Sequence, residues 1–199
     1  KDDYIAHAVV QILRLKYKQE PPRGKKSDPL DRYQKEMDFL IESDFRNNII
    51  AKLSNNTDNN CLILLDYIRH GEAIYDTLKD KCKDKQIFFI RRDVEVEQRE
   101  TIRALMEESN NVICIAISKI FSTGINIKNL HYIMFAGSGK AKIKTLQSIG
   151  RGLRKHHTKS ELVIFDIADL LYYGRQHMDK RVSFYEKERL KSGTMTIEE

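Results

Sequence analysis

The sequence is poor in several residue types, and each shortage excludes a class of protein. Its 199 residues include no tryptophan, three prolines and three cysteines. Cys61, Cys82 and Cys114 are too few and too widely spaced for a disulfide framework or a Cys-x-x-Cys metal site. Cys61 and Cys114 lie in apolar runs, so we expect buried thiols and no bound metal. No apolar run approaches the ~18–20 residues of a membrane span, so we expect no membrane partner.

The first residues also show no targeting signal. The chain opens Lys1-Asp2-Asp3, without a methionine and without the apolar core of a signal peptide, as expected of a fragment or a processed product. With 32% charged residues and a mean hydropathy of −0.54, the composition predicts a soluble, cytoplasmic protein. The length corresponds to one domain, or to one domain and a subdomain.

The positive charge is concentrated in one stretch of the chain. Overall, 35 Lys and Arg residues stand against 29 Asp and Glu residues, which gives a net charge of +6. A net charge of this size by itself indicates only a solvated surface. Between Phe135 and Ser160, however, there is no Asp or Glu. The basic residues of this stretch are Lys140, Lys142, Lys144, Arg151, Arg154, Lys155 and Lys159. Such a block indicates a polyanionic partner, either nucleic acid or nucleotide phosphate.

Short apolar runs alternate with helical patterns from residue 61 onwards. The predicted strands are Cys61–Leu65, Ile87–Ile90, Val112–Ile117, Tyr132–Phe135 and Leu162–Phe165. The predicted helices between them are Gly71–Lys83, Glu97–Glu108 and Lys142–Leu153. This alternation predicts an α/β fold with a doubly wound parallel sheet flanked by helices. Ligands of such sheets bind at the carboxyl ends of the strands.

The two ends of the chain extend this central part. Val9–Tyr17 contains the alternation of a half-buried strand, and the prolines fall in the polar loop Pro21–Pro29. Asp31–Leu53 has the spacing of two helices, and Met178–Lys191 that of one charged helix. We therefore expect a linker strand, a Pro-rich loop and a helical lead-in at 1–53, a central domain at 54–170 and a C-terminal helical extension at 171–199.

One glycine-rich segment fails the test for a phosphate loop. In G-x-x-x-x-G-K-[ST], the first glycine would stand where this chain has Met134, and Ala141 follows Lys140 in place of Ser or Thr. No Asp-Glu pair that could hold Mg²⁺ ends an apolar strand. The chain by itself therefore lacks the parts for nucleotide hydrolysis, and we expect it to be inactive alone.

Two other segments carry residue types suited to phosphate. Ser122-Thr123-Gly124-Ile125-Asn126 offers hydroxyl and backbone N–H donors, although by itself it indicates only a turn. Gln147, Arg151 and Arg154 fall at i, i+4 and i+7, on one face of the predicted helix. Arginine is a planar, bidentate donor that can stabilise charge on a transferred phosphoryl group. The alternative is a solvated basic helix, but such a face more often lacks the helix-weakening glycines found here.

These segments resemble a known family. Gln147–Arg154 resembles motif VI of superfamily 2 helicases, and Ser122–Asn126 resembles their motif V. Leu62–Leu65 with its following helix resembles motif IV, and Arg99 matches an arginine that begins a later helix. The stretch from about residue 60 to 166 is thus similar to the second, C-terminal RecA-like domain of these motors. The amino-acid sequence at 121–131 resembles that of phage recombination helicases of the UvsW type.

The resemblance implies a role at ATP for one set of residues. Arg151 and Arg154 match arginines that reach the γ-phosphate across the cleft between two RecA-like domains. Gln147 matches the residue that couples the ATP state to domain closure, and these three are the expected catalytic residues. Gly124 and Asn126 match positions facing the nucleotide, where many relatives have Asp in place of Asn126.

The resemblance implies contacts with nucleic acid for a second set. Ser122 and Thr123 match positions that touch the backbone of the strand, and Arg69 and His70 follow motif IV. Lys140 lies in the acid-free basic block and joins this set.

The function implied is that of the C-terminal motor domain of an ATP-dependent DNA helicase or translocase. Its cofactors would be ATP and Mg²⁺, with Mg²⁺ and most phosphate contacts supplied by a first RecA-like domain. Its other partner would be single-stranded or branched DNA, bound without sequence preference in phage recombination, repair or replication in the host cytoplasm. The alternatives are a non-catalytic nucleic-acid-binding module and an unrelated α/β enzyme, for which we find no nucleophile-base arrangement.

Overall fold

Seven strands form one sheet in the computed structural model, which describes residues 8–91, 96–118, 127, 129–137 and 161–199. The strands are β1 (Ala8–Lys16), β2 (Cys61–Leu65), β3 (Gln86–Ile90), β4 (Val112–Ile117), β5 (Tyr132–Phe135), β6 (Leu162–Asp169) and β7 (Lys191–Glu198). The helices in these residues are α1 (Pro29–Glu42), α2 (Asp44–Asn55), α3 (Ile68–Lys81), α4 (Val96–Glu108) and α5 (Tyr172–Lys187).

The order of the strands across the sheet is β3-β4-β2-β5-β6-β1-β7, and every neighbouring pair is parallel. All residues of β2 and β4 are buried, as their continuous apolar sequences predict for strands covered on both faces. The prediction of a doubly wound parallel α/β sheet is confirmed.

Helices cover both faces of the sheet. On one face, Ile50 of α2 and Ile74 of α3 pack against alternate residues of β2, such as Ile63. On the other face, Met106 of α4 and Phe184 of α5 join the intervening residues of the same strands. A smaller apolar cluster joins α1 to the chain that follows β6. Alternation along each strand therefore supplies two separate cores.

Capping side chains determine where α1 and α2 begin. Asp28 Oδ1 accepts hydrogen bonds from the backbone N–H groups of Leu30 and Asp31 at the start of α1. Ser43 ends α1 and caps α2, because its hydroxyl accepts the backbone N–H of Arg46 at 3.2 Å. This sharp junction fixes the first turn of α2, which carries Arg46 into the interior.

The central strands lie where the sequence predicts them, and the flanking elements differ in length. β2, β4 and β5 have the predicted bounds, and the two helices predicted within Asp31–Leu53 are present. α3 begins at Ile68, three residues before the predicted start. β6 continues beyond Phe165 to Asp169, because both of its aspartates have buried arginine partners. The helix predicted at Lys142–Leu153 lies outside the described residues.

The C-terminal prediction needs a correction. The predicted helix ends at Lys187, and Lys191–Glu198 is the edge strand β7 instead of part of a helical extension. Arg189 has a φ of 55°, in the left-handed region, which ends the helical course of the backbone. β7 pairs along its whole length with β1, so the first described strand lies inside the sheet rather than outside it.

Candidate functional site

The carboxyl ends of β4, β2 and β5 lie side by side at one edge of the sheet. Ser118 follows β4, Asp66 follows β2, and Gly137 lies two residues after the end of β5. The Ser118 hydroxyl donates to the Leu65 carbonyl at 2.9 Å, and the Gly137 N–H donates to the Leu64 carbonyl at 3.0 Å. These bonds hold all three strand ends together.

Gly137 allows the end of β5 to approach the carboxylate that follows β2. A Cβ on Gly137 would lie 2.5 Å from an oxygen of Asp66, which is closer than a Cβ atom can approach another heavy atom without displacing it. The strand end is therefore compatible only with a glycine unless Asp66 moves.

Most of the predicted site residues lie on the segments that leave this edge. The residues after Ser118 include Ser122, Thr123, Gly124 and Asn126, and those after Gly137 include Lys140, Gln147, Arg151 and Arg154. All eight lie outside the described residues, so their predicted roles stay predictions. Of the predicted set, the structure locates Arg69 and His70.

Arg69 lies at the surface in the first turn of α3. Its side chain is 46% exposed and forms an ion pair with Asp38 of α1. The pair is solvent-exposed and therefore contributes little to stability. Arg69 can exchange this partner for another anion at low cost.

His70 lies in the interior, with 3% of its surface exposed. Its Nε2 lies 3.2 Å from Nη1 of Arg46 and 3.2 Å from Oδ1 of Asn47. Because a guanidinium can only donate, we assign Nε2 as the acceptor from Arg46. Burial, and then the charges of Arg46 and Arg69, lower the pKa of His70 well below 6.5, so the ring is neutral. A ring in this position has no exposed edge to offer to a DNA strand, so His70 has no part in the proposal below.

Arg46 is the centre of a buried polar cluster that the sequence did not reveal. Its Nε donates to Oδ1 of Asp169 at 2.8 Å, and its Nη2 donates to Oδ2 at 3.1 Å. The same Nη2 donates to the Ala136 carbonyl at 2.6 Å. Tyr17 donates its hydroxyl to Asp169 at 2.6 Å. We call Arg46, Asp169, Tyr17, His70 and Asn47 the Arg46 cluster; its charges are paired and hydrogen-bonded, as burial requires.

A second buried ion pair lies on the opposite face of β6. Arg181 Nε and the Tyr185 hydroxyl both donate to Oδ2 of Asp166, each at 2.7 Å. Asp166 and Asp169 are three positions apart, so alternation along the strand directs them to opposite faces. The Arg181–Asp166 pair joins α5 to the sheet.

A buried carboxylate holds the start of α5. Glu36 of α1 accepts the backbone N–H groups of Tyr173 at 3.0 Å and Gly174 at 2.8 Å. An acceptor at this end of a helix satisfies donors that have no partner inside the helix. Burial raises the pKa of Glu36 despite these two hydrogen bonds, which act in the opposite direction.

The described residues contain neither a membrane-spanning helix nor a metal site. No helix within them combines the length and the apolar character needed to cross a membrane. Within the same residues, no group of three or more His, Cys, Asp or Glu side chains is placed to hold a metal ion.

The chain is similar to known proteins over most of its length. Residues 41–156 match the family described as the helicase conserved C-terminal domain. The chain is 36% identical over 140 residues to the ATP-dependent DNA helicase uvsW of Enterobacteria phage T4, across 69% of this chain and 28% of that protein. The crystal structure of T4 UvsW matches with a TM-score of 0.76 and 28% identity, over 96% of this chain and 41% of that one.

A more distant structure shares the fold alone. The C-terminal domain of the DEAD-box protein Dbp5 matches with a TM-score of 0.61 at 10% identity, over 96% of this chain and 91% of that one. The fold and these matches define the second RecA-like domain of a superfamily 2 motor. The chain belongs to the helicase conserved C-terminal domain family and is similar to T4 UvsW, of whose length it spans 28%.

Proposed function

We propose that this chain is the C-terminal motor domain of an ATP-dependent DNA helicase or translocase. The relative from phage T4 is an ATP-dependent DNA helicase, and its structure matches over nearly the whole chain. By the same similarity, the protein acts on branched or single-stranded DNA in phage recombination, repair or replication. It binds mainly to phosphates and therefore has little sequence preference.

The arrangement of β4, β2 and β5 is the observation that carries this proposal. The segments with the predicted motifs V and VI leave the sheet from β4 and β5, which flank β2 on either side. The chain crosses over β2 between these two strands, and ligands of parallel α/β sheets bind at such a change of direction. The two segments that carry the predicted motifs thus start from one edge of the sheet.

The resemblance to superfamily 2 helicases supports roles at ATP for one set of residues. Arg151 and Arg154 face the γ-phosphate across a cleft to a first RecA-like domain, and Gln147 couples the bound nucleotide to closure of that cleft. Gly124 and Asn126 face the nucleotide from the segment after β4. Because the sequence has neither a phosphate loop nor an Asp-Glu box, Mg²⁺ and most phosphate contacts come from the first domain.

The contacts with DNA are assigned to residues near the same edge. Ser122 and Thr123 bind the strand through its phosphates, and Lys140 adds a positive charge from the acid-free block. Arg69 is the one member of this set that the structure locates, and it is exposed at the start of α3. It binds a phosphate of the DNA in place of its ion pair with Asp38.

The decisive experiment is Arg151→Lys in a protein that joins this chain to its first motor domain. Lysine keeps the charge but replaces a planar, bidentate donor with a point charge. Since an arginine finger contributes about 10³–10⁵ in rate, DNA-stimulated ATP hydrolysis should fall by orders of magnitude. The affinity for DNA should change little, and the chain alone should release no phosphate.

Arg103→Lys is the matched control. Arg103 is a half-buried arginine of α4 that pairs with Glu100 and Glu107 and has none of the predicted roles. Its replacement should leave turnover unchanged. Near-normal hydrolysis in Arg151→Lys would refute the proposed site and favour a nucleic-acid-binding module without motor activity.

A further inference from the structure

Arg46 connects elements that follow four different strands. Through one guanidinium it contacts Asp169 at the end of β6, Ala136 after β5 and His70 in the helix that follows β2. Asp169 in turn accepts the hydroxyl of Tyr17, the first residue after β1. The carboxyl ends of β1, β2, β5 and β6 are thus linked through a single buried side chain, that of Arg46, which is 1% exposed.

Neutralising a buried aspartate does not require such connections. The Arg181–Asp166 pair is equally buried and equally short, and Asp166 also accepts the hydroxyl of Tyr185. Arg46 differs because it also donates to a backbone carbonyl, that of Ala136. Only the several donors of a guanidinium can reach a carboxylate, a carbonyl and an imidazole together; a lysine ammonium could still neutralise Asp169.

The carbonyl that Arg46 holds belongs to the end of β5. The N–H groups of Ala136 and Gly137 both donate to the Leu64 carbonyl of β2, each at 3.0 Å. The end of β5 is therefore held by β2 on one side and by Arg46 on the other. The chain continues from Gly137 into the segment that carries the predicted motif VI.

We propose that Arg46 is a positioning residue for ATP hydrolysis, because its contact with the Ala136 carbonyl fixes the strand end from which motif VI continues. This inference rests on the proposed function. It assigns to a buried arginine of α2, far from motif VI in the sequence, a part in placing Arg151 and Arg154. The cluster acts through the backbone and touches neither nucleotide nor DNA.

Amide hydrogen exchange on the full chain tests the contact itself. Arg46→Lys keeps the positive charge beside Asp169 but loses the bond to the carbonyl, so exchange at Ala136 and Gly137 should become about tenfold faster. The matched variant Arg181→Lys weakens the other buried pair and should leave these two amides unchanged. Equal exchange at Ala136 and Gly137 in the two variants would overturn the proposal. If Arg46→Lys unfolds, Asp169→Asn removes the charge that aligns Arg46 and should accelerate the same amides.

Steady-state kinetics in the two-domain protein test the consequence. A displacement of about 1 Å in a reacting group can cost ~10²-fold in rate. Arg46→Lys should therefore lower kcat for ATP hydrolysis about 10- to 100-fold with little change in KM, while Arg181→Lys keeps normal turnover. A normal kcat in Arg46→Lys, or an equal loss in Arg181→Lys, would overturn the proposal. If Arg46→Lys lowers kcat while Arg151→Lys does not, the proposed function fails instead.

Discussion

Replacing Gly174 with alanine tests how tightly the start of α5 packs against the end of β6. A Cβ at this position would lie 2.3 Å from the carbonyl oxygen of Asp169 and 3.1 Å from its carbonyl carbon. Both are backbone atoms, which cannot move aside as the end of a side chain can. Gly174 also donates its N–H to Glu36, so the helix cannot shift without loss of that bond.

The expected magnitude is the difference between two opposing effects. Alanine favours a helix by about 1 kcal/mol relative to glycine, whereas forcing a methyl group into packed atoms costs ~1–3 kcal/mol. Because backbone blocks the methyl group at Gly174, we expect the upper end of that cost. The result is a net loss of about 1–2 kcal/mol, and each kcal/mol corresponds to a fall in Tm of ~2–4 °C in a domain of this size.

Urea unfolding of Gly174→Ala and of a control on the same helix measures this effect. Ser183 is an exposed residue of α5 whose hydroxyl donates to the Asp179 carbonyl. Ser183→Ala improves helix propensity without a collision, so its stability should stay within about 0.5 kcal/mol of the wild type. A Gly174→Ala variant as stable as the wild type, or more stable, would refute the close contact with Asp169.

The pH dependence of stability gives two further predictions with opposite signs. The pKa of His70 is lower in the folded chain than its usual 6.5, so this group stabilises the fold above pH 6.5. Below that pH the wild type should lose about 1.4 kcal/mol per pH unit more than His70→Gln in urea unfolding, and parallel curves would contradict the neutral, buried ring. The pKa of Glu36 is raised above its usual 4.5, so its contribution is greatest below pH 4.5 and is lost as pH rises through the folded-state pKa. The stability of the wild type relative to Glu36→Gln should therefore decline from pH 4 towards neutrality, and a rise over that range would exclude burial as the dominant influence on Glu36.

The central strands could be predicted because their signal is local. β2 and β4 are continuous apolar runs bounded by polar residues, and burial on both faces is the one environment that suits them. The extension of β6 could not be predicted, because Asp166 interrupts its apolar run and the partner that makes it acceptable, Arg181, lies 15 residues further on.

Features that depend on distant partners were missed for the same reason. β7 carries few apolar residues, and its place in the sheet depends on pairing with β1. Arg46 stands on a helix among polar residues, and Asp169, the aspartate it binds, is 123 positions away. His70 follows a motif-like strand and so suggested a DNA contact, but its burial depends on Arg46 and Asn47 of another helix. The motif residues themselves stay predictions, which rest on similarity and not on tertiary contacts.

The position of β1 between β6 and β7 has a consequence for the order in which the chain folds. Bonds around β2 join residues 46 to 73 positions apart, such as Asn60 with Met106 and Leu64 with Gly137. By contrast, Tyr17 and Asp169 are 152 positions apart, and Arg14 and Thr196 are 182 apart. During synthesis the middle of the sheet can therefore assemble first, while β1 finds its partners only after β6 and β7 have been made. Until β6 and β7 have been made, β1 has both edges open to pairing with another chain.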